Sequence, residues 1–133
     1  MDERMPDRMC SHGAKKSSWR QQLGQAGEET AAAFLTANGL QIFCRNYRCP
    51  KGEIDIIAMD GTELVFVEVR TRSSSNKGWG EESITLGKKS RIQTVATYYL
   101  LERQYSDWPP MRFDVLALRW TESAPEINWL KGM

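Results

Sequence analysis

Two carboxylates lie inside apolar segments of this sequence, Asp55 within residues 52–58 and Glu68 within residues 64–70. Removing an ionised carboxylate from water is costly unless a partner compensates the charge. A divalent cation is such a partner, and carboxylate oxygens are ligands that Mg²⁺ and Mn²⁺ prefer. The pattern therefore indicates a Mg²⁺ or Mn²⁺ site with Asp55 and Glu68 among its ligands.

The dipeptide Asp60-Gly61 separates the two segments and is typical of a two-residue β-hairpin turn. With that turn, Asp55 faces Phe66, and Asp55 and Glu68 become diagonal neighbours on one face of the sheet. Because side chains alternate along a strand, Arg70 shares this face. Apolar side chains occupy the opposite face: Ile54, Ile56, Val65, Val67 and Val69.

An alternative interpretation is that these acids mark the solvent face of an ordinary antiparallel sheet. The same face, however, also carries Ile57, Leu64 and Phe66, and two predicted helices are available to cover both faces. We therefore favour a covered, functional cluster.

The first predicted helix extends from about residue 19 to residue 38 and ends at Gly39. Its stripe of small and apolar residues allows a close approach to the sheet and comprises Gly24, Gly27, Ala31 and Leu35. Helical spacing places Glu28 on this stripe and rotates Glu29 away. Glu28 is thus a candidate third ligand, although a glutamate near a helix N-terminus is also favoured by the helix dipole alone.

The second predicted helix starts at Thr85, and its apolar residues recur with helical spacing: Ile92, Val95, Ala96, Tyr99 and Leu100. Lys88 lies four residues before Ile92 and begins the buried stripe. A lysine in that position is unusual unless an anion is near. Lys88 is therefore a candidate catalytic residue.

Residues 45–91 contain nine lysines and arginines and seven acids, of which Glu53, Asp55 and Glu68 are assigned to the site. The whole chain carries a net charge of only +1, so any attraction to phosphate must be local. This segment predicts a phosphate-facing surface. Besides Arg70 and Lys88, its candidate nucleic-acid-binding residues are Arg45, Arg48, Lys51, Arg72, Lys77, Lys89 and Arg91.

The chain has 133 residues, about the size of one domain. Residues 1–17 are polar and aperiodic and are predicted to be a disordered tail, so the domain comprises residues 18–133. Its predicted order is α-β-β-β-α-β-β, with a mobile loop over residues 71–82. No apolar run is long enough to span a membrane, and no signal peptide is recognisable. The odd number of cysteines, three, favours a reduced, cytoplasmic protein.

Five motifs occur in order: Gly24-x-x-Gly27-Glu28, Asn46-Tyr47-Arg48, Gly52-Glu53-Ile54-Asp55, Phe66-Val67-Glu68-Val69-Arg70-Thr71-Arg72 and Arg112-Phe113-Asp114-Val115. Together they resemble the YraN-like uncharacterised family, regarded as distant relatives of archaeal Holliday-junction resolvases in the PD-(D/E)xK superfamily. The resemblance covers residues 19–130.

The resemblance implies a restriction-endonuclease-like α/β fold, a mixed central β-sheet flanked by helices. It also implies a Mg²⁺- or Mn²⁺-dependent endonuclease acting on structured or branched DNA, without a small-molecule cofactor. Asp55 and Glu68 then match the metal ligands, and Glu28 matches the helix glutamate of the resolvases. Because resolvases cut two strands, a homodimer is one arrangement that this likeness implies. Asp114 is expected to be a structural salt-bridge or hydrogen-bond partner.

The sequence departs from this pattern at Arg70, where the signature has lysine. Arginine is permanently charged and cannot act as a general base. Three interpretations remain open: the metal alone generates hydroxide, Lys88 supplies the missing ammonium, or the site binds without cutting. The competing functions are accordingly an inactive nucleic-acid-binding module with the same fold and, as a third possibility, a scaffold that binds protein through its sheet.

Overall fold

The computed structural model describes residues 19–72 and 86–133. Its elements are α1 (Trp19–Ala37), β1 (Gln41–Cys49), β2 (Gly52–Asp60), β3 (Glu63–Arg72), α2 (Leu86–Glu102), β4 (Met111–Trp120) and β5 (Pro125–Leu130). The predicted α/β class and the order α-β-β-β-α-β-β are confirmed. The predicted tail over 1–17, the loop residues 73–82 and Lys77 lie outside the described residues.

The five strands form one sheet in the order β1-β2-β3-β4-β5. β3 and β4 are parallel, and the other neighbouring pairs are antiparallel. A parallel pair needs a crossover connection, and α2 lies within this one. Consequently β1 and β3 end at one end of the sheet, and β2 and α2 begin at that same end. We call it the site end.

Both faces of the sheet are covered. On one face, α2 buries Ile92, Val95 and Tyr99 against a cluster that includes Ile57 and Phe66. On the other face, α1 contributes its fully buried Ala31 and Leu35 to a second cluster. Within the acidic face predicted from the sequence, Asp55 and Glu68 are half-buried, which argues against an open solvent face, whereas Glu53 at the start of β2 is exposed.

Helix α1 approaches β3 closely at the site end. A side-chain Cβ at Gly27 would overlap Thr71 Oγ1, so only glycine fits this position without a local shift. The contact brings the next residue, Glu28, to the end of the sheet where β2 begins.

The β2–β3 turn differs from the prediction. Pairing continues to Asp60 opposite Glu63, so the turn residues are Gly61, with a φ of 63°, and Thr62. The two facing acids are held together by Arg112, whose Nη1 donates to Asp60 Oδ2 and Glu63 Oε1 at 3.0 Å each. Phe66 consequently faces Ile57, and the predicted pairing of Phe66 with Asp55 is wrong. Because the register moves by an even number of residues, the assignment of faces in β3 is unchanged.

Asp114 is fully buried in β4 and is a structural partner, as predicted. Its carboxylate accepts hydrogen bonds from Arg112 Nε at 3.0 and 3.1 Å, from Trp129 Nε1 at 2.9 Å and from the Gly132 N–H at 3.0 Å. One buried charge therefore ties β4 to β5 and, through Arg112, to the β2–β3 turn.

Two findings bear on the predicted location. Neither α1 nor α2, the helices within the described ranges, has the length and hydropathy of a membrane span. Cys44 is buried and disulfide-bonded, whereas Cys49 is a half-buried free thiol.

Candidate active site

The alternation of side chains is interrupted where the acidic site begins. In β2, Ile54 and Ile57 both join the cluster facing α2, while Ile56 joins the cluster facing α1. Strict alternation would place Ile54 with Ile56, so the predicted position of Ile54 on that face is wrong. The interruption falls at Asp55.

The regular pairing of β1 with β2 is interrupted at the same position. Arg45 pairs with Ile56 and Tyr47 pairs with Ile54, but the intervening residues Asn46 and Asp55 are not a registered pair. Asn46 has a φ of 58°, which is left-handed backbone. Both strands therefore change face together, at the residue that carries the first site carboxylate.

The regular pairing of β2 with β3 also ends next to Asp55. Registered pairing between these strands stops at Ile56 opposite Val67, and beyond it the N–H of Val69 donates to Asp55 Oδ2 at 2.8 Å. Asp55 thus lies just beyond the registered pairs, and its carboxylate contacts the β3 backbone at the residue after Glu68. The diagonal placement of Asp55 and Glu68 stays a prediction.

Glu68 has two cationic partners on one oxygen. Its Oε2 accepts hydrogen bonds from Lys88 Nζ at 2.5 Å and from Arg70 Nε at 3.3 Å. Its Oε1 is buried and has no hydrogen-bond partner within residues 19–72 and 86–133. Since a buried, unpartnered carboxylate oxygen is costly, this atom is a natural position for a further ligand.

The electrostatics around Asp55 are unfavourable to its charge. Burial, reinforced by Glu28, Glu68 and Glu53, raises the pKa of Asp55 to about 7, although the Val69 N–H acts in the opposite direction. Three neighbouring carboxylates thus disfavour ionisation of a fourth. A cation placed among them would reverse this effect.

Glu28 lies inward on α1 and Glu29 is exposed, as helical spacing predicted. Burial raises the pKa of Glu28, whereas a hydrogen bond from the Asn46 side chain and the charge of Arg45 lower it. In the parts of the chain that the structure describes, no three His, Cys, Asp or Glu side chains form a ready-made metal cluster. Among the neighbouring carboxylates, Glu28 has the largest electrostatic effect on Asp55. Its role as a third metal ligand stays a prediction.

A cavity of about 590 Å³ opens between the sheet, the β1–β2 turn and α2. Asp55, Glu68 and Lys88 line it together with Arg48 and Arg91. Gly52, at the start of β2, has a φ of 145°, and a Cβ there would lie 3.2 Å from Val95 Cγ2 of α2, so glycine suits this close approach of the turn to the helix. The cavity thus combines carboxylates, which can bind a cation, with ammonium and guanidinium groups, which can bind an anion.

The remaining predicted basic residues are distributed around this cavity. Arg48 is paired with Glu53 at 3.2 Å, and Arg45 lies near Glu28. Lys51 and Lys89 are exposed outside the cavity lining. Arg72 is the last residue of β3, and its side chain lies outside what the structure describes. The structure therefore brings Arg48, Lys88 and Arg91 to the carboxylates.

Sequence reasoning identified the charged residues but missed the role of Asn46, whose positive φ accompanies the change of face in β1. A signal was present, because asparagine is disfavoured inside strands and is one of the few residues that tolerate positive φ. It also missed Val69, whose backbone N–H holds Asp55.

We expect Asp55→Asn to stabilise the metal-free protein at pH 8 but not at pH 4. The folded-state pKa of about 7 exceeds the ordinary aspartate pKa of 3.8, so the folded state holds this proton more tightly and the wild type loses stability as pH rises between these values. The asparagine removes this loss, on the order of a few kcal/mol at about 1.4 kcal/mol per pKa unit. Urea unfolding in EDTA at both pH values measures it. The exposed Glu53→Gln is the control, and equal effects of the two substitutions would refute the assignment.

Comparisons with known proteins are consistent with the motifs. The sequence profile of "Uncharacterised protein family UPF0102" matches residues 27–118. A UPF0102 protein of Desulfitobacterium hafniense (strain Y51) is 48% identical over 120 residues, covering 88% of this chain and 99% of the relative. A UPF0102 protein of Moorella thermoacetica is 50% identical over 99 residues, covering 74% and 82%.

The α/β chain with its paired carboxylates therefore belongs to the UPF0102 family. Among solved structures, Pyrococcus furiosus SfsA in complex with Ca²⁺ aligns with a TM-score of 0.34 and 13% identity, covering 84% of this chain and 63% of that one. A likeness at this level supports no conclusion about the fold or the function.

Proposed function

We propose that this protein is a Mg²⁺- or Mn²⁺-dependent endonuclease that hydrolyses phosphodiester bonds in structured or branched DNA. The observation that carries the proposal is that Asp55 and Glu68 line one cavity together with Lys88, Arg48 and Arg91. The order α-β-β-β-α-β-β and the PD-(D/E)xK-like motifs support the same assignment. A protein that acts on DNA is also compatible with the cytoplasmic location that we propose.

The donor set fits a hard divalent cation. Mg²⁺ is usually bound by one or two carboxylates and keeps several water ligands. Asp55 and Glu68 would supply these carboxylates, because Glu68 Oε1 is buried without a partner and the charge of Asp55 lacks compensation. When bound, the ion would supply an activated water and charge neutralisation at the scissile phosphate. Glu28 would add negative charge from α1.

Lys88 is the residue best placed to replace the lysine of the signature. Its Nζ contacts Glu68 Oε2 from the first turn of α2, although Arg70 occupies the expected sequence position. An ammonium at this place can stabilise the charge that develops on a phosphate held beside Glu68. Arg70 contacts the same oxygen and would orient the carboxylate. Of the three interpretations left open by the sequence, this contact favours the contribution of Lys88.

The test is a cleavage assay on four-way junctions, flaps, linear duplex and single strands, with Mg²⁺, Mn²⁺ or EDTA. We expect metal-dependent cutting of a branched substrate, a loss of about 10²-fold or more in Lys88→Met, and little change in Lys89→Met. Lys89 is the matched control because it is adjacent, exposed and absent from the cavity lining. Equal losses in the two variants would refute the role of Lys88, and no cutting of any substrate would refute the nuclease.

Arg70 is the one observation that favours the second candidate, a DNA-binding module without turnover. Its permanently charged guanidinium cannot deprotonate water. Salt-dependent binding of branched DNA with no cutting under either metal would establish this alternative.

A further inference from the structure

The cavity between the sheet, the β1–β2 turn and α2 is graded from buried to exposed residues. Its buried lining residues, which we call the floor, are Ile54, Val67 and Ile92. Its exposed charged residues, which we call the rim, are Arg48, Glu53 and Arg91. The cavity therefore has depth, and a ligand that reaches the floor must pass the rim.

The two site carboxylates lie below this rim. The Glu68 side chain is 17% exposed and its Oε1 is buried, whereas the Glu53 side chain at the rim is 64% exposed. Asp55 is half-buried, and its Oδ2 accepts a hydrogen bond from the Val69 N–H at 2.8 Å. A phosphate bound beside Asp55 and Glu68 therefore lies inside the cavity and not on the outer surface of the protein.

The wall that the β1–β2 turn forms is packed against α2. The backbone at Gly52 lies so close to the helix that a Cβ there would be 3.2 Å from Val95 Cγ2. Cys49 and Pro50, shortly before Gly52, line the cavity. Widening the cavity at this wall would break a close-packed contact between the turn and the helix, which is costly.

The size and lining of the cavity suit a nucleotide better than a duplex. Its volume of about 590 Å³ is in the range of pockets that enclose a ligand of this size, whereas a duplex is far too wide to enter. Its lining combines cations with apolar side chains, which match the anionic phosphate and the flat base of an unpaired nucleotide. A continuous duplex keeps its bases stacked inside and presents only phosphates and sugars along its backbone.

We propose that the DNA strand enters this cavity unpaired, so that the substrates are single-stranded segments such as flaps, gaps and the unpaired nucleotides of branched DNA. This inference rests on the proposed function, because the strand that enters is the strand that is cut. A protein that takes a nucleotide out of a duplex must break its pairing and stacking, and this cost is smallest when the nucleotide is already unpaired. Unpaired DNA is therefore bound and cut in preference to continuous duplex.

DNA binding in EDTA separates this proposal from simple attraction to phosphate. A surface that responds only to charge binds duplex at least as tightly as a single strand, because the duplex has the higher charge density. We expect the opposite order: a single strand, and a duplex with a single-stranded gap, bind about 10-fold or more tightly than the continuous duplex of the same sequence. Fluorescence anisotropy at one fixed salt concentration measures the three affinities.

Cys49 gives a second measurement that does not depend on cleavage, because it is a free thiol that lines the cavity. A single strand at about ten times its dissociation constant should slow alkylation of Cys49 by iodoacetamide about 10-fold, since about a tenth of the protein remains unbound. Continuous duplex at the same multiple of its own dissociation constant should leave the alkylation rate nearly unchanged. Mass spectrometry identifies the modified peptide, and the adduct must disappear in the control variant Cys49→Ser.

The outcomes separate the two proposals. Equal protection of Cys49 by single strand and duplex, or equal or tighter binding of the duplex, would overturn entry of an unpaired strand while leaving the nuclease proposal intact. Protection of Cys49 by the single strand alone, with no cutting of any substrate under Mg²⁺ or Mn²⁺, would overturn the nuclease proposal and not the mode of entry.

Discussion

Glu68→Gln is expected to reduce metal-dependent cleavage by at least about 10³-fold while leaving the protein folded. Glu68 lines the cavity with Asp55 and accepts hydrogen bonds from Lys88 and Arg70 on one oxygen. The amide keeps the size of the side chain but is a much poorer ligand for Mg²⁺, and several kcal/mol of transition-state stabilisation correspond to a loss of this size. Single-turnover cleavage of a branched substrate at saturating Mn²⁺ measures it, and circular dichroism verifies the fold.

The matched control is Glu53→Gln. Glu53 is an acid at the same end of the sheet, but its side chain is 64% exposed and pairs only with Arg48 among the ion pairs of the described chain. We expect the cleavage rate of Glu53→Gln to stay within about 2-fold of the wild-type rate, since solvent-exposed ion pairs contribute little. Cleavage by Glu68→Gln at a rate similar to that of Glu53→Gln would exclude the proposed metal site.

Asp114→Ala is expected to destabilise the protein by about 3–5 kcal/mol, because it breaks a buried ion pair and leaves several buried donors without an acceptor. The carboxylate is fully buried, and its removal would leave unmatched donors on Arg112, Trp129 and Gly132. Chemical denaturation gives the difference in free energy of unfolding. Metal affinity per folded molecule should be unchanged, because this network lies away from the site end.

An exposed ion pair on the same strand provides the comparison. Arg119 and Glu126 join β4 to β5 at 2.9 Å, but the Glu126 side chain is 51% exposed. We expect Glu126→Ala to cost less than about 1 kcal/mol. Comparable losses in Asp114→Ala and Glu126→Ala would show that burial does not determine the contribution of Asp114.

Most of the fold could be predicted from local patterns. The buried positions of α2 follow from helical spacing, and the small stripe of α1 identified Glu28 as inward. The β2–β3 turn was misplaced because its position depends on Arg112, which is far along the chain from Asp60 and Glu63. A local turn preference cannot include a salt bridge formed by a distant strand.

The sequence predicted which residues form the candidate site but not their detailed geometry. Charged residues inside apolar segments pointed to Asp55 and Glu68, and helical phase pointed to Lys88, whose contact with Glu68 the structure shows. The change of face at Asn46 and Asp55 was missed, because a period of two assumes an uninterrupted strand. Both β1 and β2 depart from regular alternation here, and the only sign of this in their sequences is the asparagine inside β1.

The parallel contact between β3 and β4 also has a consequence for how the chain folds. Short turns join β1, β2 and β3. The second edge of β3, however, can pair only after β4, residues 111–120, has been added to the sheet. Until then, the apolar part of β3 has an open edge. This part, Leu64 to Val67, is buried on both faces in the native protein. Closing so long a loop is entropically slow. We therefore expect docking of β4 to be the rate-limiting step of folding, and a nascent chain that ends before residue 111 to be prone to aggregation.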